Sequence, residues 1–75
     1  MTEIRISSRI RELRARYGFT QKDLAEMVGV RRETIGHIEN SKFNPSIVLA
    51  YRISRALDST VEEVFAFEEI EDSNP

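Results

Sequence analysis

Residues Thr20 to Asn40, TQKDLAEMVGVRRETIGHIEN, decide the fold of this chain, and they read as two short helices around one tight turn. Thr20 followed three residues later by Asp23 is close to a capping box. It opens a helix whose apolar positions Leu24, Ala25, Met27 and Val28 gather toward one side. Gly29 ends that helix, because a glycine directly after the last periodic residue takes a left-handed backbone at little steric cost, and Val30 brings an apolar side chain beneath the turn. The second helix starts at once. Its inward positions are Ile35 and Ile38, with Thr34 on the flank, which leaves Arg32, Glu33, Gly36 and His37 for solvent or a partner. Two helices joined by a turn of roughly 3–4 residues containing Gly form the geometry that can set the second helix into a DNA major groove.

Upstream, TEIRI at Thr2–Ile6 alternates polar and apolar residues and has two readings: a frayed leader whose Ile6 staples the first helix, or an edge strand paired elsewhere. Ser7 or Ser8 caps a helix running to about Tyr17, with Ile6, Ile10, Leu13 and Tyr17 recurring at helical spacing. Arg14 follows Leu13 and lies near the core edge, unlike Arg9, Arg11 and Arg16. Gly18 closes the helix, and Phe19 stands before the Thr20 cap as a hydrophobic staple.

Downstream, Ser41–Pro45 breaks the helical pattern, and its Phe43 either plugs the adjacent core or makes an exposed contact. Ser46 caps a fourth helix bearing Ile47, Ala50, Ile53, Ala56 and Leu57, which reads as the central buried helix, with Leu49 and Tyr51 toward its shoulders. Thr60 with Glu63 is a full capping box for a short fifth helix with Val61, Val64 and Phe65 on its apolar face. Ala66 to Ile70 loses helical periodicity, and Glu71 to Pro75 reads as disordered. The expected architecture is all-α: one domain over residues 1–75, with a compact helical core over 6–65 built of five short helices, and a segment over 66–75. A short terminal strand pairing is left open.

Seventy-five residues suffice for one small domain; such a chain buries about 60–65% of its extended surface and gains core by pairing with a copy of itself. There is no cysteine, which fits a reducing compartment. No apolar run of about 18 residues exists and the amino terminus lacks the apolar core of a secretion signal, so the expected location is the cytoplasm, without a membrane partner. The net charge of −2 hides a split. Met1 to Leu57 holds 11 Arg and Lys against 6 Asp and Glu, a balance of +5, whereas Asp58 to Pro75 holds 7 acids and no base. A basic body with an acidic end leaves a plausible phosphate-facing surface, provided that the end folds away from it. Catalytic and metal chemistry finds no motif: there is one histidine, His37, and neither HExxH, CxxC nor a phosphate-cradling glycine run. The chain is expected to be no enzyme and to hold no cofactor, metal or small-molecule ligand.

RELR at 11–14, TQKDLAEMVGV at 20–30, ETIGHIEN at 33–40 and NPS at 44–46 together resemble the phage repressor and Cro-like (Xre-type) helix-turn-helix DNA-binding domains of bacteria, archaea and their phages, over Arg9 to about Val64. The chain is also similar to small stand-alone members that add only a brief dimerising tail. The resemblance implies four or five helices, a third helix that recognises DNA, and a homodimeric transcriptional regulator, a repressor, on a two-fold symmetric operator. It implies base contacts for Arg32, Glu33, Gly36 and His37. Backbone contacts fall to Thr20, Gln21, whose amide also buttresses the recognition helix, Arg31, Asn40, Lys42 and the loop amides between the last two, and a salt bridge joins Arg14 to Glu39. Glu33 either accepts from a cytosine or orients Arg32.

Two positions depart from the family pattern. Arg31 stands where Ser or Thr is usual and cannot accept an amide hydrogen bond, so the third helix lacks a cap worth roughly 0.5–2 kcal/mol. Gly36 costs about 1 kcal/mol relative to alanine in a helix interior; either the surface position is unselected or the backbone approaches the groove closely there.

A lone recognition unit contacts few base pairs, so Val61, Val64, Phe65, Phe67 and Ile70 are expected to form a dimer interface. Ile4 and Ile6 would add an edge strand, and Glu68, Glu69, Glu71 and Asp72 would lie beside the axis. The alternatives are that Phe65 and Phe67 cap the chain's own core, and, for function, an antitoxin-like protein-interaction module that keeps the fold.

Overall fold

The computed structural model describes residues 2–71. The elements run in the order β1 (Thr2–Ser8), α1 (Ile10–Tyr17), α2 (Gln21–Val28), α3 (Arg32–Glu39), α4 (Ile47–Ala56), α5 (Val61–Val64) and β2 (Phe65–Glu71). The five helices stand in the expected order, but the chain is not strictly all-α. β1 and β2 pair antiparallel from Thr2 opposite Glu71 to Ser8 opposite Phe65, so the chain's two ends form one ribbon. The frayed-leader reading is thereby corrected: Ile6 sits in β1 opposite Phe67 instead of on the first turn of α1. Glu71, the first residue of the stretch expected to be disordered, instead ends β2 opposite Thr2, and Asp72–Pro75, the rest of that stretch, lie outside the described residues.

The helix boundaries follow their local chemistry. Thr20 and Asp23 make a reciprocal capping box, with the Asp23 amide donating to Thr20 Oγ1 at 3.0 Å and the Thr20 amide to Asp23 Oδ2 at 2.9 Å. Thr60 and Glu63 repeat it for α5. Ser46 Oγ accepts from the Leu49 amide and caps α4. α1 has no such cap. Arg9 is its N-cap residue and makes no side-chain cap bond; of the two serines expected to cap, Ser8 Oγ accepts from the Ile10 amide at 3.5 Å, and the Arg9 amide donates to the Val64 carbonyl at 2.8 Å, which ties the helix start to the end of α5.

One cluster of buried side chains draws on every helix: Ile10 and Leu13 from α1, Leu24, Ala25 and Val28 from α2, Ile35 and Ile38 from α3, Ala50 and Ile53 from α4, Leu57, and Val64 with Phe65. Burial of these groups at about 25 cal/mol per Å² supplies the main drive for so short a chain. Ser54, inside α4, is buried at no polar cost because its hydroxyl donates to the Ala50 carbonyl at 2.8 Å.

Several expected core positions lie at the surface instead. Met27 is on the helical stripe of α2 but half exposed, Tyr17 leaves the core to stack on Phe19 at a centroid distance of 5.8 Å, and Phe43 is exposed rather than a plug. Ile47 is 82% exposed: it begins α4, one turn before the helix passes into the core at Ala50. The expected dimer residues divide. Val64 and Phe65 are buried in the chain's own core and have no surface to give, Val61 and Ile70 are half-buried, and Phe67 is 64% exposed.

Candidate nucleic-acid interface

α2 and α3 meet across a turn closed by backbone chemistry. Gly29 takes a left-handed conformation at φ 76°, and the Val30 amide donates to the Ala25 carbonyl at 3.0 Å while the Val30 side chain packs beneath. α3 starts immediately at Arg32. Its N-cap residue, Arg31, is extended and makes no side-chain cap bond, as its chemistry requires; the Thr34 amide donates to the Arg31 carbonyl at 3.0 Å, and the Arg32 and Glu33 amides before it are left for solvent or an anion.

Ile35 and Ile38 fix the inner face of α3 at 0% and 2% exposure, which turns Arg32, Glu33 and His37 outward. Arg31, Thr20, Asn40 and Lys42 are exposed around them, while Gly36 and Gln21 are half-buried. Arg32 Nη2 lies 3.6 Å from Glu33 Oε1, with both side chains more than half exposed, so the pair is worth little to the fold and leaves both groups available. The amides after α3 are already engaged. Those of Asn40, Ser41 and Lys42 donate to the carbonyls of Gly36, Ile38 and His37, which removes the loop amides from the expected phosphate contacts and leaves the Asn40 and Lys42 side chains.

The outward face is held from behind by Glu39, whose side chain is 2% exposed. Its Oε2 lies 2.8 Å from Arg14 Nε, and its Oε1 accepts from Gln21 Nε2 at 3.1 Å and from Arg14 Nη2 at 3.4 Å. Arg11 Nε approaches to 3.5 Å. Arg14 also donates from Nη1 to the Phe19 carbonyl at 2.9 Å, so one guanidinium links α1, the start of α2 and the end of α3. Burial pushes the Glu39 carboxyl up, but the hydrogen bonds from Arg14 and Gln21 and the charges of Arg14 and Arg11 together outweigh it and hold the group below its ordinary value.

The family resemblance names the Arg14–Glu39 pair and gives Gln21 the part of buttressing the recognition helix; the approach of Arg11 to Glu39 is not part of it. A Cβ at Gly36 would stand 3.6 Å from Gln21 Nε2, an ordinary contact, so the amide lying across α3 does not itself require glycine at that position.

The chain is 53% identical over 64 residues to an uncharacterized HTH-type transcriptional regulator of Archaeoglobus fulgidus, covering 85% of this chain and 91% of that protein. It is 42% identical over 64 residues to the uncharacterized HTH-type transcriptional regulator YgzD of Bacillus subtilis, covering 85% and 97%. Among solved structures, the restriction-modification controller protein C.AhdI of Aeromonas hydrophila superposes with a TM-score of 0.69 at 36% identity, over 73% of this chain and 83% of that one. No helix among the described residues is long and apolar enough to cross a membrane. The helix-turn-helix family profile matches residues 10–64, and with these relatives it shows that the chain belongs to the helix-turn-helix family of transcriptional regulators.

Proposed function

We propose that the chain is a repressor that binds a two-fold symmetric operator in double-stranded DNA as a homodimer. The carrying observation is α3 itself: its apolar face is locked by Ile35 and Ile38, and its outward face offers Arg32, Glu33 and His37 on a helix braced from behind by Glu39. Arg32 donates a bidentate pair to a guanine edge, and His37, about one and a half turns on, reaches a neighbouring base step. Thr20, Gln21, Arg31, Asn40 and Lys42 hold phosphates around that contact, and a phosphate at Arg31 satisfies the uncapped amides of α3 and offsets the unfavourable cation there.

Homodimerisation supplies the second recognition helix. The apolar groove of about 260 Å³ between the ribbon and α4, lined by Ile6, Pro45, Ile47, Val61 and Phe67, is surface that a solvated monomer does not need. This moves the expected interface from the buried Val64 and Phe65 to Phe67 and its neighbours. Of the acidic end, Glu68, Glu69 and Glu71 are committed to β2, where Glu68 stands opposite Arg5.

Selection of bound duplexes from a random pool tests the reading. The expected product is a site with two inverted half-sites centred about 10–10.5 base pairs apart, or a multiple of that spacing. A single unrepeated half-site contradicts the homodimer, and a pool that never enriches contradicts DNA binding and favours the protein-interaction module.

A further inference from the structure

The ribbon has two strands only, so each strand has one edge without a neighbouring strand among the described residues, and Thr2–Arg5 of β1 are all exposed. An unpaired strand edge is a template for another strand. Two copies related by a two-fold axis pair like strands antiparallel. A shared apolar face further requires even-numbered residues to meet even-numbered ones, because a slip by one residue turns every side chain to the opposite face. On β1 that face carries Ile4 and Ile6, with Glu69 opposite Ile4 and Phe67 opposite Ile6 on β2.

Charge then selects the register. Centred on Glu3, the pairing sets two carboxylates against each other; centred on Arg5, it sets two guanidinium groups together. Centred on Ile4, it places each Glu3 opposite the partner's Arg5, and it sets Thr2 opposite the partner's Ile6. β2 has no such solution. Its only charges are Glu68, Glu69 and Glu71, so pairing it with a second β2 brings carboxylates together with no cation from either strand.

We propose that β1 of two copies pair antiparallel about Ile4, joining the two ribbons into one four-stranded sheet in which each Glu3 faces the partner's Arg5. This rests on the homodimer reading above and moves its axis from the groove beside Phe67 to the free edge of β1. Ile4, 49% exposed in one copy, then meets its symmetry mate at the axis, and the two Ile6–Phe67 pairs extend this into an apolar stripe across the sheet, flanked by Glu69 and Glu71. The edge that invites aggregation is consumed by its own copy.

The chain contains no cysteine, so single substitutions report on the axis. Opposed Cα atoms at the centre of the pairing stand about 4.5–5.5 Å apart, within disulfide range, and Ile4→Cys is expected to form an intermolecular disulfide under mild oxidation. Glu3→Arg and Arg5→Glu each turn two attractive cross-strand pairs repulsive. Each alone is expected to raise the dimer dissociation constant about tenfold or more, read by sedimentation equilibrium. An equimolar mixture of the two variants restores opposite charges across the axis and is expected to form a heterodimer of wild-type affinity. That recovery separates an intermolecular pair from damage within one ribbon, because Arg5→Glu also meets Glu68 of its own chain. A dimer indifferent to both substitutions, a mixture that does not recover, or a Phe67→Cys chain that cross-links where Ile4→Cys does not, overturns the strand pairing and leaves the homodimer standing. A wild-type chain monomeric at about 100 μM overturns both.

Discussion

Replacing Glu39 with alanine is expected to destabilise the fold by about 2–4 kcal/mol, more than any exposed ion pair of this protein can contribute. The carboxylate is almost wholly removed from water and accepts from both Arg14 and Gln21. Its loss leaves the Arg14 guanidinium, 15% exposed, with the Phe19 carbonyl as its remaining short contact, and a buried cation stripped of its counter-ion is costly. A double-mutant cycle with Arg14→Ala, followed by denaturant unfolding, is expected to give a coupling above about 1 kcal/mol; a coupling below about 0.3 kcal/mol contradicts the bracing role.

The same group carries a pH signature. Because the folded protein holds the Glu39 carboxyl below its ordinary value of 4.5, its stabilisation is fully present above that pH and is lost as pH falls through the lower, folded value. Glu12, Asp23 and Glu63 shift in the same direction, so wild-type acid unfolding alone does not isolate Glu39. Glu39→Gln does. The stability gap between wild type and Glu39→Gln is expected to narrow as pH drops below about 4.5.

What the sequence made legible here was what is local. The boundaries of α2, α4 and α5 follow from hydrogen bonds between residues three apart and from a left-handed glycine, all visible in TQKD, SIVL, TVEE and Gly29. Periodicity named the inner face of α3 correctly, yet it misplaced Met27, Tyr17 and Ile47. A helical stripe says which side chains share a face, not how far along the helix a neighbour extends to cover them. The ribbon was less legible still. TEIRISS finds its partner in FAFEEIE at the other end of the chain, and no rule of local spacing connects the two. The same distance hid Arg11 from Glu39, whereas the Arg14–Glu39 pair and the buttressing by Gln21 are read from family resemblance rather than from geometry.

The second large effect falls on DNA. Arg32→Ala is expected to weaken binding to the selected operator about 5- to 150-fold per half-site, the loss of one bidentate guanine contact worth about 1–3 kcal/mol, and to change binding to a scrambled duplex far less. Folding stability is expected to stay within about 0.5 kcal/mol of wild type, since the Arg32 side chain is 58% exposed and its one ion pair lies at the surface. Equal weakening on both duplexes would make Arg32 a phosphate anchor instead of a base reader, and Glu33 or His37 the reader.

The most direct measurement of the central claim is the salt dependence of binding by the intact wild-type chain to its selected operator and to the scrambled duplex. A dimer that sets Arg31, Lys42 and their neighbours against phosphates displaces several counter-ions, so log K is expected to fall linearly with log salt at a slope of about −4 or steeper on both duplexes, with the operator bound more tightly throughout. Absence of binding to either duplex at about 50 mM salt, or an affinity that does not change with salt, would contradict recognition of DNA by α3.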